Sequence, residues 1–439
     1  MSDRDPFGDD DPDGDVPNPF AGLPMFGDLA RLLGGQGAMS WDAASRLAMS
    51  IATGGQPENN VDPVERIRLE QLARVAELHV SNVTGLTVAA HGTLTIVPVN
   101  RTTWAQRTLP AYRPLFEKLT GSLAPPTPPE TDQPGTDPMS AMLNQMMTAL
   151  GPMMLSMTAG SLVGHLASRA LGQYDLPIPH PPGDEIMVVV PSIDEFASEW
   201  SLTPDDVRLW VCLHEVTTHA VLQVPHVRAR LMELLDAWAG GFEPDSSALE
   251  ERLGSLEIND ISDLQKLQSS LGDPEILLGA IQSDDQRALL PRLEALVQTI
   301  TGYTDHVMDQ VGGSLIGGYG MLTEALRRRR VEASQADRFV ERLLGLELTR
   351  GAYERGERFV DGIVERAGED ALAELWSNAD NLPTPNELDA PGLWLARVGI
   401  EFEDSDLGDL GELTFDDAEL GELGIDPGPP PDEDPPPGS

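Results

Sequence analysis

The sequence predicts a mainly α fold with a small β part, and three observations carry that prediction. Beyond Pro225 almost every segment repeats apolar residues at helical spacing, between Gly, Pro or Asp punctuation. Only two short stretches, near 93–99 and 186–190, read as strands: the first is rich in β-branched residues and the second is wholly apolar. The two ends, 1–38 and 401–439, combine acidic residues with Gly and Pro and hold too few apolar side chains to offset the entropy of ordering. They are expected to be disordered acidic arms flanking a single helical domain at 39–400, within which the Pro-, Thr- and Gly-rich residues 124–138 form an exposed linker.

In chain order, Ser40 suits the cap of a short helix through Trp41, Ala44, Leu47 and Ala48 that stops near Gly54-Gly55. A longer amphipathic helix is expected over Val64–Val80, with Ile67, Leu69, Leu72, Val75, Ala76 and Leu78 on one apolar side and charges opposite. Thr87–Asn100 reads as a strand or a hairpin about His91-Gly92, and helix resumes near Trp104. Pro138–Ser168 contains no Asp, Glu, Lys or Arg, a length that could span a bilayer. Asn144, Gln145, the Gly151-Pro152 break and His165 favour a buried, Met-rich helical hairpin instead, so stable membrane insertion is not expected. After the strand at 186–190, closed by Pro191, come a turn of helix at Asp194–Trp200 and the helix that starts at Thr203-Pro204, with Asp206 placed for a capping box. Further helices are expected at about 226–239, 246–253, 260–271, 274–281, 284–312, 317–331, 334–344 and 350–377.

A formal charge of −43 over 439 residues repels nucleic acid and anionic membrane, which argues against either as a partner. The run Arg327–Arg330 is the one basic cluster; on a helix it spreads around the axis, as expected for scattered ion pairs or, less simply, an anionic ligand site. Cys212 is the single cysteine, so no intrachain disulfide can form. An acidic N-terminus without an apolar core adds to the expectation of a reducing, cytoplasmic setting.

Chemistry concentrates in Leu209–Leu222, where His214, Glu215 and His219 fall within one and a half helical turns. A His-Glu pair opens the zincin signature, in which two His four residues apart bind zinc and the Glu polarises a water. Here Thr218 holds the fourth position and His219 the fifth, which turns the second imidazole about 140° from His214 unless a π-bulge restores the register. The simpler alternative is a hydrogen-bonded core His214 beside a solvent-facing Glu215. A third metal ligand would have to come from a later helix, and the helix at 284–312 carries Asp305, His306 and Asp309; these equally suit an ordinary solvated face.

With those residues in view, the chain resembles the zincin-like metallopeptidase family, also described as hydrolases or zinc-dependent metalloproteases. The likeness runs from about Trp41 to Val398. It includes Leu171–Asp175, Val190–Ile193, Trp210–Ala220 with Val224-Pro225-His226, Gly302-Tyr303, the Arg327 cluster, Arg355–Phe359 and Trp394–Val398. The resemblance implies a zincin-like multi-helix fold, a zinc ion and a peptide or protein substrate, with His214 as first ligand and Glu215 as general base. Thr218 stands where it implies a second His, and Thr301 where it implies a ligating Glu. Two functions follow as expectations. One is a zinc metallopeptidase in which His214, His219 and Asp305 or His306 hold the metal and Glu215 deprotonates the bound water. The other is an inactive member of the same fold that serves as a partner-binding scaffold.

Overall fold

The computed structural model describes residues 41–90, 92–123, 156–242, 282–331 and 335–402. Helix α1 (Trp41–Ala52) is followed by α2 (Pro63–Thr84), strand β1 (Thr95–Val99), α3 (Arg101–Leu123) and the helix α4 at 156–169. Then come β2 (Glu185–Val189), α5 (Val190–Glu199), α6 (Pro204–Gln223), α7 (Pro225–Gly240), α8 (Asp284–Leu315), α9 (Tyr319–Val331), α10 (Gln335–Leu343) and α11 (Arg350–Ala367). Two 3₁₀ turns, Glu369–Trp376 and Ala379–Asn381, lead to α12 (Pro385–Asp389) and α13 (Pro391–Val398). The fold is therefore mainly helical with one small sheet. The acidic ends apart from Glu401 and Phe402, the linker at 124–138 and the expected helices at 246–253, 260–271 and 274–281 lie outside the described residues. So does most of the uncharged stretch, whose described part, 156–168, belongs to the largely buried helix α4. No helix among the described residues is long and apolar enough to cross a membrane.

The two strands form a parallel pair, Thr95 opposite Glu185 through Val99 opposite Val189. The first strand is thus not half of a hairpin: a parallel partner needs a long crossover, here α3 and α4. Backbone at Leu171-Gly172 runs along the free edge of β2, with the Val189 N–H donating to the Leu171 carbonyl at 2.8 Å. Val190, expected as the last strand residue, instead opens α5, because Pro191 supplies no N–H for pairing but fits a first helical turn.

α6 is the central element, and its sequence pattern understates its burial. Its residues Val207, Arg208, Trp210–Leu213 and Glu215–Leu222 are all buried, so the helix is enclosed on every side and not on one apolar stripe. Thr203 does cap it by position, yet its side chain makes no capping bond, and Pro204 begins the helix. Arg208, only 4 % exposed, ties three helices together through Glu65 at 3.0 Å and Asp194 at 2.7 Å. The expected helix at 350–377 divides at Gly368, whose φ of 80° suits glycine, and its second half tightens into a 3₁₀ turn. Pro291 lies inside α8, which starts earlier, at a Ser283–Gln286 capping box.

α2 departs from its expected single apolar side. Leu69, Ala73, Ala76 and Val80 face the core, whereas Ile67, Val75 and Leu78, assigned to the same side by their spacing, point outward. The helix has two apolar faces, and spacing alone could not tell which one the core takes.

Candidate functional site

The centre of α6 meets the Leu171–Asp175 segment. Gly172 passes so close to α6 that a Cβ there would fall on the Glu215 carboxyl group, with Cγ at 2.7 Å. Glu215 Oε2 accepts the backbone N–H groups of Gln173 and Tyr174, each at 2.8 Å. The segment is itself held by Trp104 Nε1, which donates to the Gly172 carbonyl at 2.7 Å, and by Asp175, whose carboxylate accepts the Leu171 N–H at 3.0 Å. Glu215 is 2 % exposed and His214 is the more accessible of the pair, with 18 % of its side chain exposed. The expected arrangement of a buried His beside a solvent-facing Glu is therefore reversed. Burial raises the Glu215 pKa above the ordinary carboxylate value, against the lowering effects of His214 and of the Tyr174 N–H.

His214 stacks flat on Trp210, ring centroids 5.0 Å apart, and its Nδ1 lies 3.4 Å from Glu215 Oε1. Both rings line a small cavity of about 80 Å³ that also touches Glu215, Arg169, Arg329 and Arg330. Beside it a wider cleft of about 500 Å³, lined among others by Trp210, Asp305, Tyr319, Arg327 and Tyr353, opens between α6, α8, α9 and α11.

The other predicted site residues sit elsewhere. α6 is a regular α-helix throughout, so no π-bulge brings His219 toward His214. His219 is 1 % exposed; its Nδ1 is 2.8 Å from the Tyr174 hydroxyl, and its Nε2 is 3.3 Å from the Gln223 amide nitrogen. Asp305 takes a two-pronged ion pair from Arg330 at 2.8 and 3.0 Å. His306 bonds Glu369 at 2.9 Å and Gln310 at 3.2 Å, and lies 3.8 Å from Asp361. Thr301 donates its hydroxyl to the Gln298 carbonyl within its own helix. All four arginines of the basic run face carboxylates: Arg327 meets Glu357, Arg328 Glu324, Arg329 Asp175 and Arg330 Asp305. Arg328 pairs within α9, and the other three ion pairs pin α9 to its neighbours.

Sequence reasoning missed the Gly172–Tyr174 backbone as the group that receives Glu215. No side-chain pattern marks it, because the donors are main-chain amides. It also missed the imidazole and phenol cluster behind α6, where His180 packs between Tyr112 and Tyr174 at centroid distances of 5.3 and 5.9 Å. His180 Nε2 is buried without a hydrogen-bond partner.

That cluster sets an acid limit on the fold. Burial and the neighbouring Arg228 push His180 down to about 4, and burial does the same to His219, against an ordinary value near 6.5. Such groups bind fewer protons folded than unfolded, so they contribute stability above pH 6.5 that disappears as the pH falls toward 4. The full loss is roughly 3 kcal/mol for each. Urea unfolding at pH 7, 5.5 and 4 should show this fall. Because the raised carboxyl of Glu215 has the opposite sign, comparison with His180→Phe isolates the histidine contribution, and that variant should lose part of the pH dependence.

The family model for a zincin-like metallopeptidase matches residues 39–395. The chain belongs to that family. Its fold is also similar to the crystal structure of a "putative hydrolase with a novel fold" from Chloroflexus aurantiacus, at a TM-score of 0.55 and 24% identity over 83% of this chain and 99% of that one. No curated protein matches the chain.

Membership of this zincin-like family implies a zinc ion, and the donor set decides whether these residues suit one. Among the described residues no three His, Cys, Asp or Glu side chains come together as a metal site would require. Four residues after His214, where a second imidazole would be needed on the same helix face, stands Thr218, buried within α6 and a poor zinc donor. Glu215 already spends one oxygen on two backbone amides. The described residues around His214 therefore do not fit the metal.

Proposed function

We propose that this zincin-family chain is a metal-free scaffold that binds a protein or peptide partner, and that it does not hydrolyse one. The observation that supports this most is the commitment of every candidate ligand beyond His214. His219 engages Tyr174, Asp305 engages Arg330, and His306 engages Glu369 and Gln310. Glu215 acts in this view as a buried anchor for the Gly172–Tyr174 backbone, and the partner occupies the wide cleft beside Trp210. That cleft offers both charge signs and aromatic surface, through Arg327, Glu357, Asp309, Tyr319 and Tyr353, which suits an extended peptide better than a small anion. The setting we propose is cytoplasmic, as expected from the single buried Cys212.

The decisive measurement is zinc content. Chain purified without a metal-binding tag, loaded with excess zinc and dialysed, should retain far less than one equivalent, and His214→Ala should leave that content unchanged. One zinc per chain, or peptide hydrolysis that a chelator abolishes, would overturn the scaffold reading in favour of the peptidase.

A further inference from the structure

The outward face of α2 carries a pattern that its own fold does not use. Val64 is 59 %, Ile67 60 %, Val75 38 % and Leu78 60 % exposed, and all lie on the side opposite Leu69, Ala73, Ala76 and Val80. Exposed Gln71 sits at the middle of this stripe. Counted from Gln71, the four apolar residues stand at −7, −4, +4 and +7. A seam with that spacing is its own complement when the helix is turned end for end.

We propose that this face of α2 joins two copies of the chain in an antiparallel, two-fold contact centred on Gln71. In that arrangement Val64 meets the second copy's Leu78, Ile67 meets its Val75, and the two Gln71 amides meet on the axis, where one polar pair fixes the register. Charge agrees with the same geometry. Glu70 and Arg74 lie on one flank of the stripe, both exposed, and neither takes part in an ion pair among the described residues. The two-fold brings Arg74 of each copy alongside Glu70 of the other, giving two equivalent pairs. The apolar seam spans about 21 Å. Contact along it buries on the order of 1,000 Å² in total, the low end for a specific interface, so association is expected at micromolar concentrations. The contact uses a face of α2 outside the cleft and is independent of the metal question.

Cysteine cross-linking of the full chain tests the symmetry, since the native Cys212 is buried and does not compete. Under mild oxidation Gln71→Cys should give a covalent dimer, because the residue meets its own copy. Leu78→Cys alone should not, whereas a mixture of Leu78→Cys with Val64→Cys should cross-link. Sedimentation velocity should show the unmodified chain associating at tens of micromolar. Arg74→Glu should weaken association by about tenfold, and Glu70→Arg in the same chain should restore it. A chain that stays monomeric to about 100 µM, or Gln71→Cys that cross-links no faster than a Glu117→Cys control on exposed α3 surface, would overturn the proposal. In either case the stripe would be covered by another segment or partner.

Discussion

Gly302→Ala is expected to lower stability by about 4 kcal/mol, and the melting temperature by roughly 8 °C for a domain of this size. α8 and α11 cross at Gly302 and Gly356 with their backbones in contact. A Cβ on Gly302 would land on the Gly356 carbonyl group and lie 2.8 Å from the Glu357 nitrogen, and one on Gly356 would land on the Gln298 carbonyl oxygen. Neither obstacle is a side chain that can rotate away. Two packed helices would have to separate, which loosens the contacts of Tyr303 with Trp376 and of Phe359 with Trp394 on either side. Helix propensity works the other way, since alanine is favoured over glycine by about 1 kcal/mol in a helix interior. Gly313→Ala, in the same helix with open space where its Cβ would go, isolates that effect and should be neutral or slightly stabilising. Thermal unfolding of the two variants side by side checks the assignment. Equal stabilities would mean that the crossing is looser than described.

Glu215→Ala should be the second severe change, and it should be severe for folding before any question of catalysis arises. Removing the carboxyl leaves the Gln173 and Tyr174 N–H groups buried without an acceptor, at about 1–3 kcal/mol each, together with a cavity in the middle of α6. Relief of the desolvated carboxyl offsets part of this, so a net loss of about 3 kcal/mol is expected. Glu215→Gln keeps an oxygen for both amides and should stay within about 1 kcal/mol of the parent chain. Gly172→Ala attacks the same junction from the other side, because its methyl group occupies the space of the carboxyl, and it should cost as much as Glu215→Ala. Denaturant titration of the three variants distinguishes an anchor from a general base. A base would tolerate alanine in the fold and lose only turnover.

The helical character of the chain was legible because apolar periodicity reports which side of an element is dry. Both strands were found within two residues of their observed limits for the same reason: Thr95–Val99 is rich in β-branched residues, Glu185–Val189 is apolar from Ile186 onward, and both end in structural punctuation. Periodicity fails where burial is complete or doubled. α6 is dry all round, so the expectation of a solvent-facing Glu215 failed. α2 is apolar on two faces, and the expected stripe mixed residues from both. The site was half legible. His214 and Glu215 do face a cavity together, whereas Asp305 and His306, grouped by their nearness in sequence, turn to Arg330 and to Glu369.

By itself the sequence determined the fold class, the family and the ligand types available: a His-Glu pair on a helix, Thr218 at the second position and no other His four residues away. Those are properties of residue type and spacing, which neither packing nor solvent can change. Only the tertiary structure decided what each group is used for. Whether a carboxylate meets a metal, an arginine or a backbone amide depends on which distant segment is brought beside it. Here the Leu171–Asp175 segment, α9 and the turn at Glu369 reach Glu215, Asp305 and His306 first.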